Sequence, residues 1–333
     1  MSYELLIIPA AYFLDLAFGD PQWHWHPVRI IGRLTEKLEK KLNPVRNITG
    51  GTKDSKISNG VNAGHGMYKK FCGVMLVILV VGATTFCAWG ILRLAKFVHP
   101  VFYYIVSILF IYFSLSIKAL AVEANKVYKD LRSGDIQKAR DNLSMIVGRD
   151  VKGLNEPEII RASVETTAES TMDGIIAPLF YVFLGGAVLV WAYKAINTLD
   201  SMVGYRNERF IEFGRASARL DGLANFVPAK ITCFLIGVSS LLFRKDWLSS
   251  LKWGSKYLFR GPKINSEAAE AAMAGALRIQ LGGVNFYNSV PMDKPLIGDD
   301  FQPLAIKHIR ESIQIAYISS ALMLILGMII SVR

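Results

Sequence analysis

Apolar residues along this chain gather into long blocks separated by dense polar stretches, a pattern unlike the short alternations of a soluble core. A membrane-crossing helix needs about 20 mostly apolar residues. Phe71 to Leu92 and Ile313 to Val332 meet that length, and Val101 to Ile117 is slightly short but uncharged and rich in aromatics. Tyr3 to Phe18 is a weaker candidate because Asp15 interrupts it. Ile175 to Ile196 is long enough, with Gly185-Gly186 dividing it into two halves, and Ile231 to Phe243 is the length of a buried or half-spanning helix. These runs predict an all-α, polytopic membrane helix bundle with cytoplasmic helical loops.

The polar stretches fill in the organisation. The chain reads as one integral membrane domain over 1–333. It has a cytoplasmic loop at 19–70 with a flexible 43–66, a cytoplasmic helical segment at 118–174, a motif-rich polar region at 197–310 and a C-terminal transmembrane helix at 313–332. Asn43 to Gly66, rich in Gly, Asn, Ser, Lys and Thr, has the composition of a mobile loop. Val122 to Ile146 reads as two amphipathic helices joined at Ser133-Gly134-Asp135.

Charge sets the orientation. Between Gly19 and Lys70 ten Lys/Arg face four acids, and basic loops stay on the cytoplasmic side. Simple alternation would put Asn197 to Lys230 outside, although it carries Arg206, Arg209, Arg215 and Arg219. A helix broken at Gly185-Gly186 returns that segment to the cytoplasm, and irregular backbone at membrane depth is tolerated where protein buries it or it lines a cavity. In a soluble protein the net charge of +11 would raise nucleic-acid binding. Here the bases flank apolar segments, so anionic lipid and anionic substrates are the expected partners and nucleic acid is not. Cys72, Cys87 and Cys233 lie in apolar segments without close pairing and read as neither disulfides nor metal ligands. Glu4 ahead of the first apolar run argues against a cleaved signal peptide.

Five polar constellations could carry chemistry. Asp20, His26 and Arg29 follow the first apolar run and offer an acid, an imidazole and a cation; an interfacial turn with Trp23 and Trp25 as an aromatic belt is the plainer reading. His24 and His26 have no further clustered ligands, too few for a metal site. Arg161, Glu165, Glu169 and Asp173 recur at steps of four and share one helical face. Like charges at that spacing repel, so the stripe requires a facing cation, either magnesium or basic side chains, unless it is a solvated surface. Asn197, Asp200 and Ser201 form a compact cluster able to bind magnesium, position an amine or orient a phosphate, or merely to cap helices. Arg215 and Arg219, one turn apart and followed by Asp221 and Asn225, suit phosphate oxygens or lipid headgroups. Glu270 follows Ser266, a plausible N-cap, in an Ala/Gly run that permits close helix packing; the N-terminus of that helix could receive a phosphate. No Walker A loop, paired CxxC or dinucleotide-binding glycine fingerprint is present.

In order along the chain, GDPQWHWHPVRIIG, IVGRD, RASVETTAESTMDGIIAPLFY, YKAINTLDSMVGY, FGRASARLDGLANFVPAKIT and EAAMAGALRIQLGG resemble the adenosylcobinamide-phosphate synthase family of cobalamin biosynthesis. The pattern departs at Ser170, where the family usually has Asn, at Gly222, where it has a second Asp, and across Pro262 to Ser266. The resemblance implies an ATP-dependent ligase that joins aminopropanol or its phosphate to a propionate of adenosylcobyric acid. It implies ATP and Mg2+, a corrinoid substrate, no tightly bound cofactor, and a cell-membrane location with the active site facing the cytoplasm. On that reading Glu165, Glu169, Asp173 and Asp200 bind magnesium and deprotonate the amine, with the metal on Glu169, Asp173 and Asp200. Arg29, Arg215 and Arg219 hold phosphates, with Asn197, Ser201, Asp221, Asn225 and Glu270 as further substrate-binding residues. His26 is an orienting donor or proton carrier. A transporter with a broken-helix cavity, or a membrane scaffold gathering other membrane-associated cobalamin enzymes, is the alternative.

Overall fold

A computed structural model describes residues 2–21, 23–43, 62–205, 207, 209–258, 265–287 and 289–332. The expected flexible loop lies outside the described residues from 44 to 61, and the helix after it is already formed at Asn62. Residues 262–264 of the departing stretch also lie outside them.

The helices, in chain order, are α1 (Ser2–Phe18), α2 (Pro27–Leu42), α3 (Asn62–Val98), α4 (Pro100–Tyr112), α5 (Ile117–Arg132), α6 (Ile136–Ser144) and α7 (Glu156–Thr171). A π-helical turn at Met172–Ile176 leads into α8 (Ala177–Val203), followed by α9 (Arg215–Ala224), α10 (Phe226–Leu242), α11 (Trp247–Leu258) and α12 (Asn265–Leu277). Strands β1 (Leu281–Tyr287) and β2 (Val290–Ile297) form an antiparallel hairpin, and α13 (Lys307–Val332) ends the chain. Four helical stretches among the described residues are long and apolar enough to cross a membrane: Gly66–Val98, Pro100–Arg132, Glu156–Val203 and Lys307–Ser331. The pair α9 and α10 would add a fifth only as a broken span, and Leu6–Phe18 is apolar but short. The all-helical membrane architecture is therefore as the hydropathy pattern predicts.

Local signals explain several boundaries. Asn155 and Glu158 form a reciprocal capping box at the start of α7, at 3.0 and 2.7 Å, which satisfies two otherwise orphaned amides. Gly134 at φ +78° makes the turn between α5 and α6, and Asp135 accepts the Lys138 amide at 2.9 Å. Asp15, the charge that spoiled the first apolar run, has a structural use. Its carboxylate accepts the amides of Ile117 and Lys118 at 3.0 and 3.1 Å, so it caps α5 from a distance while the local N-cap, Ser116, makes no side-chain cap.

The chain separates into two compact units, one of Met1–Ala11, Pro21–Ser114 and Leu184–Ala224, the other of Tyr12–Asp20, Leu115–Phe183 and Asn225–Arg333. In the first, α2 and α9 pack on α3. A Cβ at Gly73 would stand 1.9 Å from the Phe213 carbonyl oxygen, so that approach needs glycine. In the second, α7 and α12 run through a core that includes Ile159, Ile160, Val164, Ala168 and the alanines of α12. The Ala/Gly run does allow close packing: a Cβ on Gly275 would stand 2.4 Å from the Ser249 carbonyl oxygen of α11, and Ser250 donates to the Ala272 carbonyl at 2.8 Å. Ser266 is inside the first turn of α12, which begins at Asn265, rather than ahead of it.

Two features stand out against the sequence pattern. The hairpin was not predicted; Pro291, Pro295 and Gly282-Gly283 are residues that ordinarily interrupt strands, and both prolines sit on a strand with no third neighbour, where proline is tolerated. The break in α8 was predicted: Gly185 and Gly186 leave helical geometry, Gly186 at φ +66°, ψ −159°. That region is almost exclusive to glycine and costs another residue about 1–3 kcal/mol. Nothing lies within 4 Å of a Cβ built on Gly186, so the cost of Gly186→Ala is conformational and not steric. Thermal unfolding in detergent is expected to show a loss of that size; an unchanged melting temperature would mean that the break is not rigidly held.

Candidate functional site

The carboxylate stripe on α7 supplies the centre of the second unit. Through α7 the step of four keeps Arg161, Glu165 and Glu169 on one face. Asp173, half-buried, falls in the π turn at Met172–Ile176, whose closing bond runs from the Ala177 amide to the Met172 carbonyl. Glu165 is buried and fully engaged. One oxygen takes an N–H of Arg149 at 2.5 Å, and the other takes the Gly282 backbone amide at 2.9 Å, with Arg161 at 3.9 Å.

The two arginines are themselves tied to the hairpin. Asn285 accepts from Arg149 and, at 3.0 Å, from Arg161, which also donates to the Val284 carbonyl at 3.1 Å. Gly283, at φ +90°, lies so close that a Cβ there would stand 3.3 Å from an Arg161 nitrogen. Asp150, next to Arg149, bonds the hairpin through the Phe286 carbonyl and the Ser289 amide, at 2.8 and 2.7 Å. Burying charge is costly unless it is paired and hydrogen-bonded, and every contact in this knot serves that requirement.

Lys294 is paired in register with Gly283 on β2, and its ammonium stands 3.7 Å from a carboxylate oxygen of Glu270 on α12. Glu270 is 1% exposed. Burial raises its pKa from 4.5 to about 8; Lys294 pulls it down, while Glu165, Glu169 and Glu267 push it up further. Burial alone would lower the Lys294 pKa, but Glu270, Glu165 and Glu169 together outweigh that and raise it. Glu169 is exposed yet feels both Lys294 and Arg149. The cations that face the α7 stripe are thus basic side chains. Among the described residues no group of three or more His, Cys, Asp or Glu side chains could hold a metal ion.

The first unit gathers the other predicted residues. His26 and Arg29 begin α2, with His26 buried edge-on against Phe113 at 5.6 Å and Arg29 exposed. Asn197, Asp200 and Ser201 lie in the last two turns of α8, Ser201 bonding back to the Asn197 carbonyl at 2.9 Å. Arg215, Arg219 and Asp221 lie on α9, both arginines exposed. Two glycines bring these segments together. A Cβ at Gly32 of α2 would be 3.6 Å from the Met202 sulfur, and one at Gly214 would be 1.7 Å from the Val203 carbonyl oxygen. Asn225 belongs to the second unit, where it is buried just ahead of α10.

Sequence reasoning missed Lys294 and Asn285, which lie on strands that it did not foresee. It quoted Arg149 within a motif but gave it no role. The demand for a cation opposite the α7 stripe was the one signal that pointed toward the two basic residues, Arg149 and Lys294.

A family profile described as "CobD/Cbib protein" matches residues 8–316. The chain is 42% identical over 329 residues to "Cobalamin biosynthesis protein CobD" of Geobacter metallireducens, covering 98% of this chain and 96% of the relative. It is 43% identical over 317 residues to "Cobalamin biosynthesis protein CbiB" of Salmonella typhimurium, covering 95% and 94%. It is 41% identical over 326 residues to "Cobalamin biosynthesis protein CobD" of Clostridium perfringens, covering 98% of each. No solved structure matches.

The raised pKa of Glu270 has a stability consequence. Below about 4.5 the folded and unfolded chains both carry the proton; above it the unfolded chain releases the proton, while the folded chain keeps it up to about 8. Stability from this group is therefore present at low pH and lost as pH rises through that window. Glu270→Gln, which cannot ionise, is expected to melt above the parent at pH 8 with the difference closing toward pH 5. A difference independent of pH would remove the assignment.

Proposed function

Because the chain belongs to the CobD/CbiB protein family, we propose that it acts in cobalamin biosynthesis as an ATP-dependent amide ligase. It joins aminopropanol or aminopropanol phosphate to a propionate carboxylate of adenosylcobyric acid. The observation that carries this reading is the buried centre where Arg149, the α7 stripe, Glu270 and Lys294, far apart in sequence, converge.

The chemistry is demanding because a carboxylate is a poor electrophile and an ammonium is no nucleophile. In the proposed reaction the substrate carboxylate attacks the terminal phosphorus of ATP, and ADP leaves. The free amine then attacks the acyl carbon of the resulting acyl phosphate, the carbon–oxygen bond to phosphate breaks, and inorganic phosphate departs. The amine must surrender a proton, and a carboxylate with a pKa near the working pH is suited to receive it. Arg29, Arg215 and Arg219 offer charge for phosphate oxygens. Magnesium, when bound with the nucleotide, would be held by Asp200 and Asn197 together with the phosphates, since such oxygen donors suit a hard cation that takes few protein ligands; it would screen the phosphate charge. A site facing the cytoplasm at the cell membrane is supported by the basic 19–70 segment under the positive-inside rule.

The test is a detergent-solubilised assay with adenosylcobyric acid, ATP, magnesium and either amine, following product mass. The expected result is an ATP-dependent mass increase matching the amide. Corrinoid uptake into proteoliposomes with no amide formed would favour transport instead, and folded protein that binds corrinoid yet turns over neither amine would overturn the ligase reading.

A further inference from the structure

Within the charged centre the partners are unevenly shared. Glu165 has Arg149, Arg161 and the Gly282 amide. Among the described residues Glu270 has only Lys294, and at 3.7 Å the pair is in ionic contact without a hydrogen bond. The second oxygen of Glu270 is buried with no hydrogen-bond partner among the described residues. A buried acceptor left without a donor carries a desolvation penalty, and this one lies where a primary ammonium from the hairpin already points.

We infer that Glu270, with Glu169 at its open side, forms the binding subsite for the primary ammonium of the amine substrate, and that Lys294 occupies this subsite in the resting chain. The assignment rests on the ligase reading above, and it identifies which part of the centre receives the amine.

The physical case has three parts. An ammonium carries three donors, and Lys294 brings none of them within hydrogen-bond distance of Glu270. A small free ammonium, not tethered to a strand, can approach more closely and satisfy the orphaned oxygen. Lys294 gives up no hydrogen bond to Glu270 when it leaves, so an ammonium that makes one replaces it at no loss there. Lys294 has somewhere to go: its side chain is 29% exposed, and its neighbours Asp293 and Pro295 face solvent. Its four-carbon stem can swing the charge into water without unpairing the strand. Glu169, exposed on α7, marks the side from which an ammonium would enter.

The experiment compares Lys294→Met and Glu270→Gln in the full-length, detergent-purified chain. Calorimetric titration with 1-amino-2-propanol reads binding, and the mass-detected assay reads KM for amine and corrinoid. Removing the internal ammonium is expected to tighten amine binding about tenfold, and removing its carboxylate to weaken it about tenfold, the worth of one charge-assisted hydrogen bond. Corrinoid KM stays constant in Lys294→Met. A plain structural ion pair gives the opposite pattern: both variants shift amine binding in the same direction, with corrinoid KM rising as well, and that result overturns the inference. If Glu270→Gln does not fold by circular dichroism, Lys294→Met decides alone, with unchanged or weaker binding counting against the subsite. Opposite shifts in amine binding without amide formation would leave the subsite standing and remove the ligase reading. Amide formation with shifts of the same sign would do the reverse.

Discussion

The carboxylate of Glu165 meets an Arg149 N–H at 2.5 Å and the Gly282 amide at 2.9 Å in a region from which water is almost excluded. Removing one partner from such a pair leaves an uncompensated buried charge, at a cost of about 3–5 kcal/mol. Much of the polar architecture of the second unit follows from avoiding that cost. Arg149 must be brought in from the loop before α7, so Asp150 ties that loop to the hairpin. Arg161 must be held alongside, so Gly283 leaves room for it and Asn285 accepts from both guanidinium groups. The hairpin is thereby fixed mainly through polar contacts, while Val284, Phe286, Val290, Met292 and Leu296 remain exposed. Once it is docked, Lys294 is carried to Glu270 as a consequence.

The membrane imposes the second constraint. Four stretches among the described residues are long and apolar enough to cross it, and within lipid every backbone polar group needs an internal partner. A helix that breaks at Gly185-Gly186 is stable there only against protein or water. The same requirement explains the serines that reappear in apolar helices. Ser239 of α10 pairs with Ser319 of α13 at 2.9 Å, and Tyr12 of α1 pairs with Ser320 at 2.8 Å, each polar group finding its partner inside the protein. Ionisable groups near such helices are conspicuous because they are costly. Asp15 shows that cost alone does not mark chemistry, since its carboxylate caps a helix.

What could be read from the sequence divides along physical lines. Apolar blocks and the step-of-four charge pattern are properties of a single helix, so the spans, the broken α8 and the stripe Arg161, Glu165, Glu169 were visible. The turn at Ser133-Gly134-Asp135 was visible too, because glycine and an N-cap are local signals. The π turn that takes in Asp173 has no compositional signature, and the hairpin is disguised by two prolines and two glycines that it tolerates only because its strands lack outer neighbours. Lys294 therefore could not be placed. Arg149 could be suspected only from the unbalanced charge opposite it, which demanded a cation without saying whence it came. Asp200, and Arg215 with Arg219, were singled out from separate local motifs; the approach of their segments at Gly32 and Gly214 is a tertiary property that those motifs do not show.

The most direct measurement is a double-mutant cycle between Arg149→Met and Glu165→Gln, read by hydrogen exchange of the hairpin amides in detergent. If this pair fixes the hairpin, each single variant speeds exchange over 281–297, and the double variant is no faster than the worse single, because residues acting through one contact are not additive. Unchanged hairpin exchange in both single variants, or strictly additive effects in the double, would contradict the account.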